Sequence, residues 1–210
     1  MYGEKGSADE PAAIKFVEEF SKTLVTDFHH LTYEGILQIV INFDEWGWVI
    51  KSLPTRSYLV SGTPVKAKKP LRARVTVLMG CSASGLKFKP LVIGKSLRPR
   101  CFKNVNRNNL PVLYYQQKSA WMTADLFTQY FHELIVPTIK EEYGDRKVIV
   151  TMDNASCHPP TLKDIDNNII VQFLPPNTTS LIQPMDQQVI FSVKSQLKAN
   201  YFCKLLNSVR

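Results

Sequence analysis

A chain of 210 residues with 44% hydrophobic content can bury one real core, so it is one domain or one domain with a small appendage. The absence of any membrane-length apolar run and the charged N-terminus argue against a spanning segment and a signal peptide. Four scattered cysteines without a CxxC pair argue against a disulfide framework or a structural zinc motif and fit a reduced intracellular compartment. The net charge of +8 is unevenly spread: residues 46–124 hold fifteen Lys or Arg and no acid, whereas the rest holds eleven basic and eighteen acidic residues. A one-sign tract of that length fits a polyanion, most simply a nucleic-acid backbone, better than an idle solvated face.

The predicted elements begin with a capping box, Ser7-Ala-Asp-Glu10, with Pro11 just inside it. Ala13, Phe16, Val17, Phe20 and Leu24 follow at helical spacing, so 9–25 is an amphipathic helix. Residues 27–35 form a connection, and 36–43 a buried strand that stops at Asp44. A strand is expected at 57–60, a basic loop at 66–74, and a hairpin of 75–80 with 87–93 across Ser82-Ala-Ser-Gly85. Gly80 and Gly85 have the spacing of a phosphate loop. Leu86 stands where the lysine belongs, however, and the glycines join two strands, so the motif is rejected.

Lys95, Arg98, Arg100, Lys103 and Arg107 lie in a stretch without hydrophobic periodicity, a loop suited to phosphate contact. Lys66, Lys68, Lys69 and Arg72 belong to the same basic set. Thr123 caps a helix carrying Phe127, Tyr130, Phe131 and Leu134 on one side, and Pro137 kinks or ends it. The run Val148–Met152 stops at Asp153, and Ile169–Leu174 stops at Pro175-Pro176. Pro184 opens a last helix with Asp186 in its first turn and Ile190, Val193, Leu197 and Tyr201 down the same side. The order predicts an α/β domain with a mixed sheet flanked by helices.

Three acids, Asp44, Asp153 and Asp186, thus fall at the ends of elements. Ligands of open α/β sheets collect there, and Asp44 and Asp153 meet if their strands are parallel neighbours. Asp186 is expected to face the sheet. Three carboxylates held together repel and raise one another's pKa, so the group calls for a cation. Oxygen ligands suit Mg²⁺ or Mn²⁺. Two such ions about 3.5–4 Å apart activate an attacking oxygen and stabilise a leaving one. Any one of these aspartates alone is more often a turn former. His158 is a candidate to order a metal ligand or a phosphate, or simply a local hydrogen-bond partner. Asn154 is a second supporting candidate, whereas Glu45 would point to the opposite face if its strand continued, a structural position.

Several blocks resemble the DDE superfamily endonuclease/transposase domain of the pogo/Tigger group, which includes jerky and centromere-protein-B-like proteins. They are Asn42-Phe-Asp44-Glu45; Lys89–Ser96, Pro99–Asn104 and Ala120–Thr123; Met152-Asp153-Asn154-Ala155 with His158-Pro159; and the most specific, Leu174–Gln187. The resemblance implies an RNase H-like fold, with Asp44, Asp153 and Asp186 as the catalytic, metal-binding triad for two Mg²⁺ or Mn²⁺ ions. It also implies DNA as partner, held by backbone phosphates through the basic tract, and a nuclear location. It admits a homo-oligomer and implies no membrane contact. Residues 1–35 would be a lead-in and 36–210 the catalytic domain, with the family's N-terminal helix-turn-helix domains missing. The alternative is a domesticated, non-catalytic DNA-binding protein that keeps the fold. Two residues depart from the family pattern: Trp46 replaces a small hydroxyl residue, and Gln188 replaces a glycine.

Overall fold

The computed structural model describes residues 8–49 and 74–208. The expected strand at 57–60 and four of the basic candidates, Lys66, Lys68, Lys69 and Arg72, lie outside the described residues. Helix α1, Glu10–Asp27, starts as predicted, but the capping oxygen belongs to Asp9, which accepts from the Ala12 amide at 3.0 Å. The connection at 27–35 and the first residues of the expected strand are partly helical: α2 spans Tyr33–Ile39, with Thr32 as its cap. Leu37, Gln38 and Ile39 read as strand because Ile36, Leu37 and Ile39 run on into the apolar residues of 40–43, and a short helix and a strand cannot be told apart over so few residues.

Six strands make one mixed sheet: β1 Val40–Val49, β2 Arg74–Ser82, β3 Leu91–Gly94, β4 Leu113–Gln116, β5 Val148–Met152 and β6 Ile169–Phe173, in the order β4-β3-β2-β1-β5-β6. β2 is antiparallel to both of its neighbours, and the remaining pairs are parallel. The hairpin between β2 and β3 explains both glycines of the rejected phosphate loop. A Cβ on Gly80 would lie 2.1 Å from the Phe43 ring, and Gly85 turns the chain at φ +99°. β4 escaped the sequence reading because Leu113–Gln116 is a four-residue, half-exposed edge strand without clear alternation.

The main core joins Ile41, Phe43, Leu78, Ile93 and all of β5 except Thr151 to Phe127, Tyr130, Phe131, Ile135 and Ile139. Those last residues come from α3, Ala124–Tyr130, and α4, Val136–Tyr143, which are joined by a wide turn at Phe131–Ile135. Thr123 caps α3 as expected. Pro137 does not end the helix, because the wide turn absorbs the hydrogen bond that proline cannot make. On the other face of β1, Trp46 forms a smaller core with Met185 and Ile190. Trp46 therefore packs, with Lys194 Nζ 5.1 Å from its ring centroid.

The chain then crosses through a four-residue helix α5, Thr179–Ile182, and a 3₁₀ turn, Pro184–Asp186, into α6, Val189–Ser208. Asp186 thus sits in the 3₁₀ turn and not, as expected, in the first turn of the last helix. A tight bend separates the two, closed by the Gln188 amide on the Asp186 carbonyl at 2.9 Å, with Gln188 at φ +77°. Ile190 at the start of α6 is buried, whereas Leu197 is 42% exposed. A side chain in the left-handed region costs about 1–2 kcal/mol, part of which glycine gives back as chain entropy. Gln188→Gly is therefore expected to stabilise the chain by about 0.5–1 kcal/mol, raising Tm by roughly 2 °C. A thermal melt checks this, and an unchanged or lower Tm would contradict it.

Candidate active site

The parallel pairing of β1 with β5 runs through Val40–Ile149, Ile41–Val150 and Asn42–Thr151 and then stops. β1 continues to Val49 against β2, whereas β5 ends at Met152. Asp44 is therefore not at the end of its strand, as the sequence suggested. It lies two residues past the point where β1 loses its parallel partner, paired with Met79 of β2. Asp153 follows the last residue of β5. The two strands are parallel neighbours that part at this point, which is where open sheets leave a crevice.

The Asp44 side chain is buried, at 6% exposure. One oxygen accepts the Glu45 amide at 2.8 Å. Burial pushes its carboxyl up to about 8, helped by the charges of Asp186, then Asp153, then Glu45, while the Glu45 amide pulls the other way. Asp44 thus feels both other aspartates of the predicted triad. Asp186 itself is exposed, contrary to the expectation that it faces the sheet.

A buried polar network sets the turn that carries Asp186. The Asn42 amide donates to Gln183 Oε1 at 2.8 Å and to the Thr151 carbonyl and hydroxyl at 3.0 Å. Its Oδ1 accepts the Met185 amide at 3.0 Å, and Gln183 Nε2 donates to the Phe43 carbonyl at 3.3 Å. One asparagine thereby ties β1 to β5 and to the chain just before Asp186. Leaving any of these groups unpaired in the interior would cost about 1–3 kcal/mol. Sequence reasoning missed Asn42 and Gln183 as site residues. The signal was present, since both lie inside the quoted blocks and a polar residue in a buried run calls for partners.

Asp153 is held from the opposite side. His158 is buried, with Phe127 packed on its ring at a centroid distance of 4.3 Å. Nδ1 lies 3.1 Å from the Asp153 carbonyl and 2.8 Å from its Oδ1, and Nε2 lies 3.1 Å from Glu45 Oε2. The ring N–H points at the carbonyl, so Oδ1 is close to a cation yet is a buried carboxylate oxygen with no hydrogen bond. Burial favours the neutral ring, but the Asp153 carboxylate, Cys157 and Glu45 together outweigh it and hold His158 protonated well above the ordinary histidine range. Glu45 does point away from Asp44, as the continuing strand requires. There it also accepts the Cys157 thiol, Sγ to Oε1 at 3.0 Å, a thiol that burial keeps protonated. Asn154 is exposed and makes no hydrogen bond among the described residues.

The described basic candidates Lys95, Arg98, Arg100, Lys103 and Arg107 are all exposed in the segment between β3 and β4. Arg107 is anchored there by a 2.7 Å hydrogen bond to the Tyr114 carbonyl. Among the described residues, none of the five pairs with an acid. No described helix is long and apolar enough to cross a membrane.

These features suit a hard divalent cation. Asp44 is a buried acid disfavoured by its neighbours' charges, and Asp153 is a half-buried acid whose charge reaches it. Asp186 adds a third carboxylate, and all three donors are oxygens.

The family described as DDE superfamily endonuclease matches residues 72–210. The jerky protein homolog of Homo sapiens is 35% identical over 193 residues, covering 89% of this chain and 33% of the relative. The Tigger transposable element-derived protein 4 of Mus musculus is 33% identical over 173 residues, covering 81% and 32%. The chain spans about a third of the length of these curated relatives. Among solved structures, the Mos1 mariner paired end complex with Mn superposes with a TM-score of 0.55 at 18% identity, over 90% of this chain and 50% of that one. The Mos1 paired-end complex with left transposon end gives 0.54 at 14%, over 90% and 49%. This likeness gives the fold, an RNase H-like mixed sheet with flanking helices.

Proposed function

This chain belongs to the DDE superfamily endonuclease family, and from that premise we propose that it cleaves and transfers DNA phosphodiesters, with Asp44, Asp153 and Asp186 holding two Mg²⁺ or Mn²⁺ ions. The observation that supports this most directly is Asp44, whose carboxyl is pushed up to about 8 by burial and then by the charges of Asp186 and Asp153. A protein gains nothing for its own stability from gathering acids in this way; a bound cation offsets the repulsion. When present, a pair of divalent ions supplies charge stabilisation to the attacking and leaving oxygens of an in-line displacement.

The rest falls to side chains of the chain itself. His158 restrains Asp153 through its carbonyl and carboxylate, and Glu45 restrains His158. Asn42 and Gln183 fix the turn before Asp186. The exposed cations Lys95, Arg98, Arg100, Lys103 and Arg107 take backbone phosphates, as would Lys66, Lys68, Lys69 and Arg72; such contacts position a duplex without reading its sequence. A nuclear location follows from a DNA substrate.

The test is a magnesium titration followed by thermal unfolding and plasmid nicking. Mg²⁺ at about a hundred times its Kd should add about 2.7 kcal/mol of stability, and Asp44→Asn should remove most of that gain. Nicking should require Mg²⁺ or Mn²⁺. Tight DNA binding in EDTA, with no Mg²⁺-induced shift and no nicking, would overturn the catalytic reading in favour of a non-catalytic DNA-binding protein.

A further inference from the structure

On the face of β1 opposite Asp44, Glu45, Cys157 and His158 bring a carboxylate oxygen, a sulfur and an imidazole nitrogen within 4.8 Å of one another. Cys157 Sγ lies 3.0 Å from Glu45 Oε1, and His158 Nε2 lies 3.1 Å from Glu45 Oε2. A tetrahedral ion with its sulfur ligand at about 2.3 Å and nitrogen or oxygen at about 2.0–2.2 Å puts neighbouring ligand atoms roughly 3.2–3.6 Å apart. The cluster can therefore close on an ion through side-chain shifts of about an ångström. One sulfur, one nitrogen and one oxygen form the ligand set of a borderline-soft ion, and magnesium prefers oxygen alone.

Two further features fit an ion. The remaining ring nitrogen of His158 already faces the Asp153 carbonyl, the kind of outer partner that orients a metal-ligating imidazole. The Glu45 side chain is 18% exposed and Cys157 is half-buried, so solvent reaches two of the three ligands while His158 is held in the interior.

We propose that Glu45, Cys157 and His158 form a Zn²⁺ site separate from the three-aspartate pocket. Binding displaces the thiol proton and the Nε2 proton, so two protons leave as one dication enters. The ion then clamps the turn after β5 onto β1, beside Asp153. Nothing in this depends on nuclease activity. No CxxC or HxxxH spacing announces the site, because one ligand comes from β1 and the other two lie 112 and 113 residues further on.

Co²⁺ titration of the full 210-residue chain without magnesium tests it. One equivalent should give a thiolate-to-cobalt charge-transfer band with tetrahedral visible absorption, and Zn²⁺ should bleach it. Cys157→Ser should abolish the band and weaken Zn²⁺ by more than a hundredfold, whereas Cys101→Ser and Asp44→Asn should keep both. Absence of a band in the unmodified chain overturns the proposal without relying on any variant's fold. So does a band that survives Cys157→Ser, which would place the thiolate at another cysteine.

Discussion

Asp153→Ala is expected to lower Mg²⁺-supported nicking of supercoiled DNA by roughly a thousandfold or more, the scale on which loss of a group stabilising transition-state charge lowers kcat. The substitution removes an acid that His158 holds beside Asp44. Its carbonyl and Oδ1 face His158, and its charge reaches Asp44. The cations between β3 and β4 are untouched, so DNA affinity at fixed salt should stay within a few-fold of the parent. That pairing of outcomes is the informative one. Loss of cleavage with retained binding assigns Asp153 to the chemistry. Equal nicking by the variant would refute the three-aspartate reading, and loss of binding together with cleavage would point to a misfolded chain. Conversion of supercoiled to open-circular plasmid, alongside a binding isotherm on the same duplex, reads both.

Metal-free stability should fall as pH rises from about 4 to about 8. The sign follows from Asp44. Its folded carboxyl titrates near 8, against 3.8 for the ordinary group, because it is buried and faces Asp186 and Asp153. Between those values the folded chain keeps a proton that the unfolded chain has released, so raising the pH favours unfolding. Below about 4 both states are protonated and the term vanishes; above about 8 the penalty is complete. At 1.36 kcal/mol per pKa unit the ceiling is about 6 kcal/mol, and relaxation around the charge brings the expectation to roughly 2–4 kcal/mol. Asp44→Asn keeps the acceptor for the Glu45 amide and carries no charge, so it should make the slope shallower, leaving the part that His158 contributes above about pH 6.5, where only the folded ring stays protonated. Saturating Mg²⁺ at pH 8 should restore most of the lost stability in the parent and little in the variant. Urea unfolding in EDTA at pH 5 and pH 8 measures the difference, and parallel slopes for parent and variant would refute it.

Much of the scaffold was readable in advance where local chemistry is decisive. Thr123 announced a helix start because its hydroxyl can serve an orphan amide. Val148–Met152 announced a buried strand by its β-branched, mostly apolar run. The limits of β1 were not readable. Leu37–Ile39 are as apolar as the strand that follows, and what carries β1 on past Asp44 is its pairing with β2, through Trp48–Val75 and Val49–Arg74. Ladder hydrogen bonds to a strand dozens of residues away leave no mark on the local sequence. Asn154 looked like a supporting residue because it adjoins Asp153, yet the structure turns it to solvent. The supporting contacts come instead from Asn42, Gln183, His158 and Glu45, brought together by the β1–β5 pairing and the crossing turn.

The sequence by itself determined the family blocks, the acids available, the polarised charge and the alternation of helix and strand, because these depend on residue type and near-neighbour spacing. Only the tertiary structure decided that Asp44 lies inside a strand, buried where two parallel strands part. It alone decided that Asp186 sits in a separate turn and that Glu45 shares His158 with Asp153. Those facts depend on which distant segments share the interior, where the low dielectric makes each carboxylate's energy a property of its neighbours.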